Sequence, residues 1–133
     1  MRFIQIALFA AFLSACSPSK FVERFLTPEE QQLVRSAVDD VSRSDSADLA
    51  KKVPPELAGK VAEAMPFMHL ALPQQPFELN ATNVNFNTTG GVRIVNAVYQ
   101  AKGKDARAVV QLTMQTSGGH TLLTAIQVER TPG

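Results

Sequence analysis

Apolar residues recur with the period of a helix from residue 27 to residue 65. Thr27-Pro28-Glu29-Glu30 is typical of a helix start, because Thr27 can cap the first turn and Glu30 occupies the matching position of a capping box. The stripe that follows predicts a helix from Pro28 to about Arg43. Its apolar members are Leu33, Val34, Ala37, Val38 and Val41.

Two shorter helices are predicted after this one. Ser44-Asp45-Ser46 ends the first helix and caps a second helix from Ala47 to Lys52. Pro54-Pro55 then opens a third helix that runs to about Met65, and Pro66 either ends this helix or bends it.

From Phe77 onward the period changes to the alternation of β-strands. Within the first strand the apolar set switches phase between Ala81 and Val84, as a β-bulge would produce. Tight turns, including Gly90-Gly91 and Gly118-Gly119, predict antiparallel hairpins, and the second strand, apolar on both faces, is expected inside the sheet. The four predicted strands are Phe77–Asn87, Val92–Ala101, Arg107–Thr116 and Leu122–Glu129.

Helices followed by a four-stranded meander predict an α+β fold, with N-terminal helices packed on a curved four-stranded antiparallel sheet. This order of elements, over about residues 27 to 130, resembles the cystatin-like superfamily that includes the nuclear transport factor two-like folds. That superfamily contains enzymes, ligand binders and interaction modules. The resemblance therefore implies a fold and leaves the function open.

The N-terminus carries the pattern of an export signal. Arg2 supplies a positive charge, and the apolar run from Phe3 to Leu13, interrupted by Gln5, is too short to span a bilayer. The run ends in the lipobox Leu13-Ser14-Ala15-Cys16, and the chain therefore resembles bacterial lipoprotein precursors. An ordinary secretory signal followed by a coincidental cysteine is the other interpretation.

The lipoprotein resemblance implies a specific processing of the only cysteine of the chain. A diacylglyceryl group is added to the sulfur of Cys16, the signal peptide of residues 1–15 is cleaved after Ala15, and the new amino group is acylated. Two or three acyl chains form a lasting anchor in the lipid bilayer, whereas a single chain holds reversibly. In a Gram-negative host, Ser17 is not the aspartate that retains such proteins in the inner membrane, which favours the outer membrane. The domain is expected on the periplasmic face of that membrane.

The mature chain is expected to consist of a lipidated tether over residues 16–26 and a single α+β domain over residues 27–133. Within the tether, one face of a helical turn is apolar: Phe21, Val22, Phe25 and Leu26. This face either packs on the domain or lies among lipid headgroups beside the anchor. The balanced charges of Glu23 and Arg24 favour packing on the domain.

Charge and composition argue against several classes of partner. The chain has 13 basic and 12 acidic residues, and no cluster of lysine and arginine stands out, so nucleic acid is not an expected partner. Tryptophan is absent, which leaves few platforms for stacking on polysaccharide. No cofactor is predicted.

The residue types that most often carry catalysis or bind metals form no constellation in the sequence. His69 has apolar neighbours and His120 follows a glycine turn, and neither has a partner at ligand spacing. Glu29-Glu30 and Asp39-Asp40 are explained by a helix start and a helix surface. Neither a catalytic residue nor a metal site is predicted.

Asparagines are concentrated around the first hairpin. Their side chains either line a polar groove that hydrogen-bonds a ligand or a peptide strand, or form a solvated edge, and the solvated edge is favoured. The set consists of Asn80, Asn83, Asn85, Asn87 and Asn96.

Three functions are compatible with these observations. The favoured one is a non-catalytic protein-interaction module of the cell envelope, anchored through Cys16 and bound to an envelope protein of unknown identity. The alternative is a carrier of a small apolar ligand, in a cavity lined by residues such as Phe86, Tyr99 and Met114. An enzyme would need His69 beside a carboxylate in that cavity, and the protein is not expected to be one.

Overall fold

The computed structural model describes residues 18–132, with side chains described from Lys20 onward. The lipobox, the predicted cleavage site at Ala15 and the predicted lipidation site at Cys16 lie outside the described residues. None of the described helices is both long and apolar enough to cross a membrane. The helices are α1 (Pro18–Glu23), α2 (Pro28–Ser42), α3 (Ser46–Ala50) and α4 (Ala58–Ala71), with a 3-10 turn at Pro55–Leu57.

Helix α2 begins with the predicted capping box. The hydroxyl of Thr27 accepts a hydrogen bond from the backbone N–H of Glu30 at 3.1 Å, and the Glu30 carboxylate accepts one from the Thr27 N–H at 2.9 Å. Two N–H groups that a helix start leaves without partners are thereby satisfied. The predicted helices α2 and α3 are both confirmed, and Asp45 caps α3 through the N–H of Asp48.

Helix α4 is longer than predicted. The expected end at about Met65 is wrong, because the helix continues to Ala71 with Pro66 inside it. Pro66 removes one backbone donor, which disfavours a helix at that point. The turns on either side are held by Met65 and Met68, whose burial in the core offsets this loss.

The sheet has strands β1 (Glu78–Thr89), β2 (Val92–Lys102), β3 (Arg107–Ser117) and β4 (His120–Thr131), antiparallel and in chain order, so β2 lies inside the sheet as predicted. The register of β1 shifts between Ala81 and Asn83, which confirms the predicted bulge. A second bulge, not predicted, lies between β3 and β4 at Thr113 and Met114. Bulges bend strands, and the sheet is curved without closing.

Glycines fix the tight turns and one close approach. Gly90-Gly91 and Gly118-Gly119 each have φ values of 58° and 80°, the left-handed conformations of a two-residue hairpin turn. A Cβ added to Gly103 would lie 2.7 Å from the Cβ of Pro73, so the chain after α4 packs directly on the β2–β3 turn.

The core lies between the helices and one face of the sheet. Alternate residues of the central strands are buried on this inner face, which the helices cover. They are Val95, Ala97, Tyr99 and Ala101 of β2, and Ala108, Val110, Leu112 and Met114 of β3. The α+β class predicted from the order of elements is confirmed.

Candidate interaction surfaces

Helix α4 exposes two large apolar side chains. Phe67 is 75% exposed and Leu70 is 73% exposed, and their i, i+3 spacing places them side by side on the outward face of the helix. We term this pair the α4 ridge. Met65 and Met68 are buried on the opposite face, so the helix is apolar on both sides. The predicted end of the helix at about Met65, with Pro66 either ending or bending it, left Phe67 and Leu70 unassigned, although their i, i+3 spacing was a usable signal.

A cleft of about 510 Å³ adjoins the ridge, with Leu70 in its wall. The guanidinium of Arg130 donates hydrogen bonds to the carbonyls of residues 70–72 at 3.1 to 3.4 Å, and so satisfies carbonyls at the helix end. The Gln75 amide donates to the Ser42 hydroxyl at 2.6 Å. Fixed polar groups therefore lie beside Leu70, one member of the ridge.

The two histidines occupy different surroundings. His69 lies in the same cleft, and its Nδ1 donates to the carbonyl of Val41 at 2.9 Å. No carboxylate within residues 20–132 forms an ion pair with His69, so the arrangement that the enzyme hypothesis requires is not formed. His120 is exposed beside its glycine turn, as expected.

Glu30 does more than close a capping box. Its carboxylate is fully buried and accepts hydrogen bonds from the Arg93 guanidinium at 2.9 and 3.0 Å, which joins α2 to β2. Burial opposes the negative charge, but the bonds from Arg93 and Thr27 outweigh it and hold the pKa of Glu30 below its ordinary value. The structural role predicted for Glu30 is correct, while its partner Arg93 was not foreseen.

The prediction that Asp40 lies on a helix surface is wrong. Its side chain is fully buried, and its two oxygens accept hydrogen bonds from Lys52 at 2.7 Å and from Arg43 at 3.1 Å. Burial raises the pKa of Asp40 against the effect of Lys52, and nearby Asp48 raises it further. The apolar stripe alone could not reveal this, because the partner Lys52 comes from the segment that follows α3.

Asp40, Asp45 and Asp48 form the group within residues 20–132 whose carboxylates could hold a metal ion, with ligand oxygens within 4.8 Å of one another. Lys52 also donates to Asp48 at 2.7 Å, and Arg43 contacts Asp45 at 3.4 Å. The side chains of Arg43 and Lys52 therefore already lie between these carboxylates. The cluster is therefore explained as an ion-pair network that joins α2 to α3.

The asparagine set lies around the outer face of the sheet, opposite the helices. By register, Asn85 of β1, Asn96 of β2 and Thr113 of β3 form one row across three strands. Thr113 donates to Asn96 at 2.9 Å, and Asn96 donates to Asn85 at 3.2 Å. These side chains satisfy one another on an open face, which agrees with the solvated interpretation.

The residues named for a ligand cavity are not equivalent in the structure. Tyr99 and Met114 are fully buried among core side chains, whereas Phe86 is 50% exposed. The Tyr99 hydroxyl donates to Glu23 at 2.7 Å. These three residues therefore do not line one cavity together, and the carrier hypothesis gains no observation from them.

The apolar face of residues 21–26 divides between the two roles considered for it. Leu26 is buried in the core and Val22 packs against it. Phe21 is 54% exposed and Phe25 is 49% exposed, and their rings meet edge to face with centroids 6.0 Å apart. One half of this segment thus packs on the domain and the other half faces outward.

Comparison with known proteins identifies no family for this chain. No family model and no curated protein sequence matches it. Among solved structures, one from Shewanella frigidimarina described as a "putative ketosteroid isomerase" is 11% identical, with a TM-score of 0.44 over 86% of this chain and 97% of that one. A de novo designed β-sheet protein is 12% identical, with a TM-score of 0.39 over 77% of this chain and 85% of that one. At these TM-scores neither likeness bears on function.

Proposed function

We propose that this protein is a lipoprotein of the outer membrane, facing the periplasm, that acts as a non-catalytic protein-interaction module. The α4 ridge is the surface that contacts its partner, another protein of the envelope. The observation that carries this proposal is the outward exposure of Phe67 and Leu70 on a helix whose opposite face is already buried.

The physical argument concerns the cost of leaving such side chains in water. Large apolar side chains that lie together on an exposed surface often mark a site of contact with another protein. Burying a side chain such as Phe or Leu contributes about 1.5–3 kcal/mol, and this free energy remains to be gained at Phe67 and Leu70. Aromatic side chains set among polar groups are typical energetic centres of protein interfaces. Arg130 and Gln75 supply polar groups on the Leu70 side of the ridge, in the adjoining cleft.

The membrane anchor is supported by the lipobox that ends at Cys16. The non-catalytic role is supported by His69, which is bound to a backbone carbonyl and lacks an acidic partner among the described side chains. A protein that is anchored to a membrane and catalyses no reaction acts through the proteins that it binds.

Site-specific photo-cross-linking in the native host tests the partner surface. A photoreactive phenylalanine analogue replaces Phe67 in the full chain, and the same analogue at Gln111, an exposed position on the outer face of β3, is the control. We expect a discrete adduct with one envelope protein from position 67 and none from position 111.

Two outcomes would contradict the proposal. Equal adducts from both positions, or none from position 67, would remove the ridge as the contact surface. An adduct with the mass of two copies of this chain would assign the ridge to self-association instead of to an envelope partner.

A further inference from the structure

A second set of exposed large apolar side chains consists of three phenylalanines, two of them close to the first described residues. Phe21 and Phe25 face outward from α1 and the turn after it, and Phe86 projects from β1 on the helix-covered side of the sheet. Arg93 links them, because its guanidinium lies 4.5 Å from the Phe86 ring centroid and donates to the Phe25 carbonyl at 2.8 Å. We term Phe21, Phe25 and Phe86 the aromatic cluster.

Helix α1 and the turn after it leave two cations without ion-pair partners among the described side chains. Glu23, the acidic residue of α1, turns inward and is neutralised by Arg35 at 3.0 Å while it accepts a bond from the Tyr99 hydroxyl. Lys20 and Arg24 are exposed, and neither has an ion-pair partner among the described side chains. The charge of Glu23 therefore does not offset that of Arg24, as the sequence suggested, because Glu23 pairs with Arg35. Lys20 and Arg24 are available to contact anionic headgroups.

Covalent geometry places the cluster near the expected anchor. Cys16 precedes Pro18, the first residue of α1, by two residues, and two residues span at most about 7 Å. A bilayer that holds acyl chains on Cys16 therefore lies next to α1. Aromatic rings flanked by cations are the composition that favours the headgroup region.

We propose that the aromatic cluster inserts into the lipid headgroup region and fixes the orientation of the domain on the membrane. The proposal rests on the lipid anchor of the proposed function, and it adds a second contact that limits rotation of the domain about the anchor at Cys16. The occupant of this surface is the bilayer. The outer face of the sheet, on the opposite side from Phe86, then points away from the lipid.

Depth measurement by tryptophan quenching tests the orientation, because the chain contains no tryptophan of its own. Phe21→Trp and Phe25→Trp are separate reporters, and Gln127→Trp, at an exposed position on the outer face of β4, is the matched control. The acylated full-length product is reconstituted into vesicles of phosphatidylethanolamine and phosphatidylglycerol that carry spin-labelled phospholipids. We expect both reporters about 5–10 Å into the headgroup–acyl boundary and the control outside the range of quenching.

The failure of this inference is distinguishable from the failure of the anchor. Vesicle-bound protein with both reporters unquenched, or with the control quenched equally, would overturn the orientation while leaving the anchor in place. Protein that does not float with the vesicles and has the mass of an unacylated chain would overturn both.

Discussion

The hydroxyl of Tyr99 donates a 2.7 Å hydrogen bond to the carboxylate of Glu23, and this bond ties the N-terminal helix to the centre of the sheet. Tyr99 is fully buried in β2, so its ring packs in the core while its hydroxyl bonds to Glu23 of α1. Burial raises the pKa of Tyr99, and the neighbouring Glu23 raises it further, so the hydroxyl remains a donor. The segment nearest to the expected lipid anchor is therefore held by the core.

The substitution Tyr99→Phe tests this link. The variant keeps the aromatic ring in the core but loses the hydrogen bond, so we expect a loss of about 1 kcal/mol in the free energy of unfolding. Glu23 keeps its partner Arg35, and the core packing stays unchanged. Hydrogen exchange should accelerate in residues 20–26 and stay constant in β2 and β3. Uniform acceleration across the domain, or no change in residues 20–26, would contradict the link.

Glu30 predicts a dependence of stability on pH. A carboxyl whose pKa is lower in the folded chain than in the unfolded chain stabilises the fold above its unfolded pKa, which for Glu is 4.5. This contribution is lost as the pH falls through the lower folded value. We expect Glu30→Gln to reduce the free energy of unfolding by about 1–3 kcal/mol at pH 7. The difference in stability between the unsubstituted protein and the variant should become smaller as the pH falls below 4.5.

The neighbouring Glu29 provides the control for this experiment. Glu29 is exposed in the first turn of α2, so Glu29→Gln should change stability by no more than about 0.5 kcal/mol. Urea unfolding at a series of pH values measures both variants. If the Glu30→Gln difference were constant from pH 7 to about pH 3, below the reference value of the carboxyl group, the buried pair with Arg93 would not be the source of the stabilisation.

Adjacent residues of α4 should respond to substitution in opposite ways. Met68 is buried, so Met68→Ala should cost about 2–5 kcal/mol through lost burial and the cavity that remains. Phe67 is exposed, so Phe67→Ser should change stability by about 0.5 kcal/mol or less while abolishing recovery of the proposed partner. Comparable destabilisation by the two substitutions would show that Phe67 serves the fold of this chain and not an interface.

Local patterns sufficed to predict the elements whose causes are local. The capping box at Thr27 and Glu30 and the glycine pairs of two hairpins depend on residues close in sequence, and all are present. The bulge after Ala81 was readable because the apolar phase of β1 changes there. The second bulge, at Thr124, was not readable in this way. Leu122 and Leu123 are both apolar, so the alternation of apolar and polar residues in β4 shows no clear change of phase there.

Features that depend on tertiary contacts could not be read from the sequence. Pro66 lies inside α4, where Met65 and Met68 pack in the core on either side of it, and the proline by itself does not reveal that the helix continues to Ala71. Asp40 resembles a surface acid until Lys52 of the following segment reaches it. Glu30 and Arg93 are 63 positions apart in the chain. The contacts of Arg93 with Glu30, Phe25 and Phe86 therefore form only in the folded domain.

Intact-mass spectrometry of the protein isolated from its native envelope tests the proposed lipid anchor on Cys16, on which both proposed surfaces depend. We expect the mass of residues 16–133 increased by a diacylglyceryl group and an N-linked acyl chain, and we expect the Cys16→Ser variant to lack this added mass. An unmodified chain cleaved at another site, or a chain that keeps residues 1–15 without lipid, would contradict it.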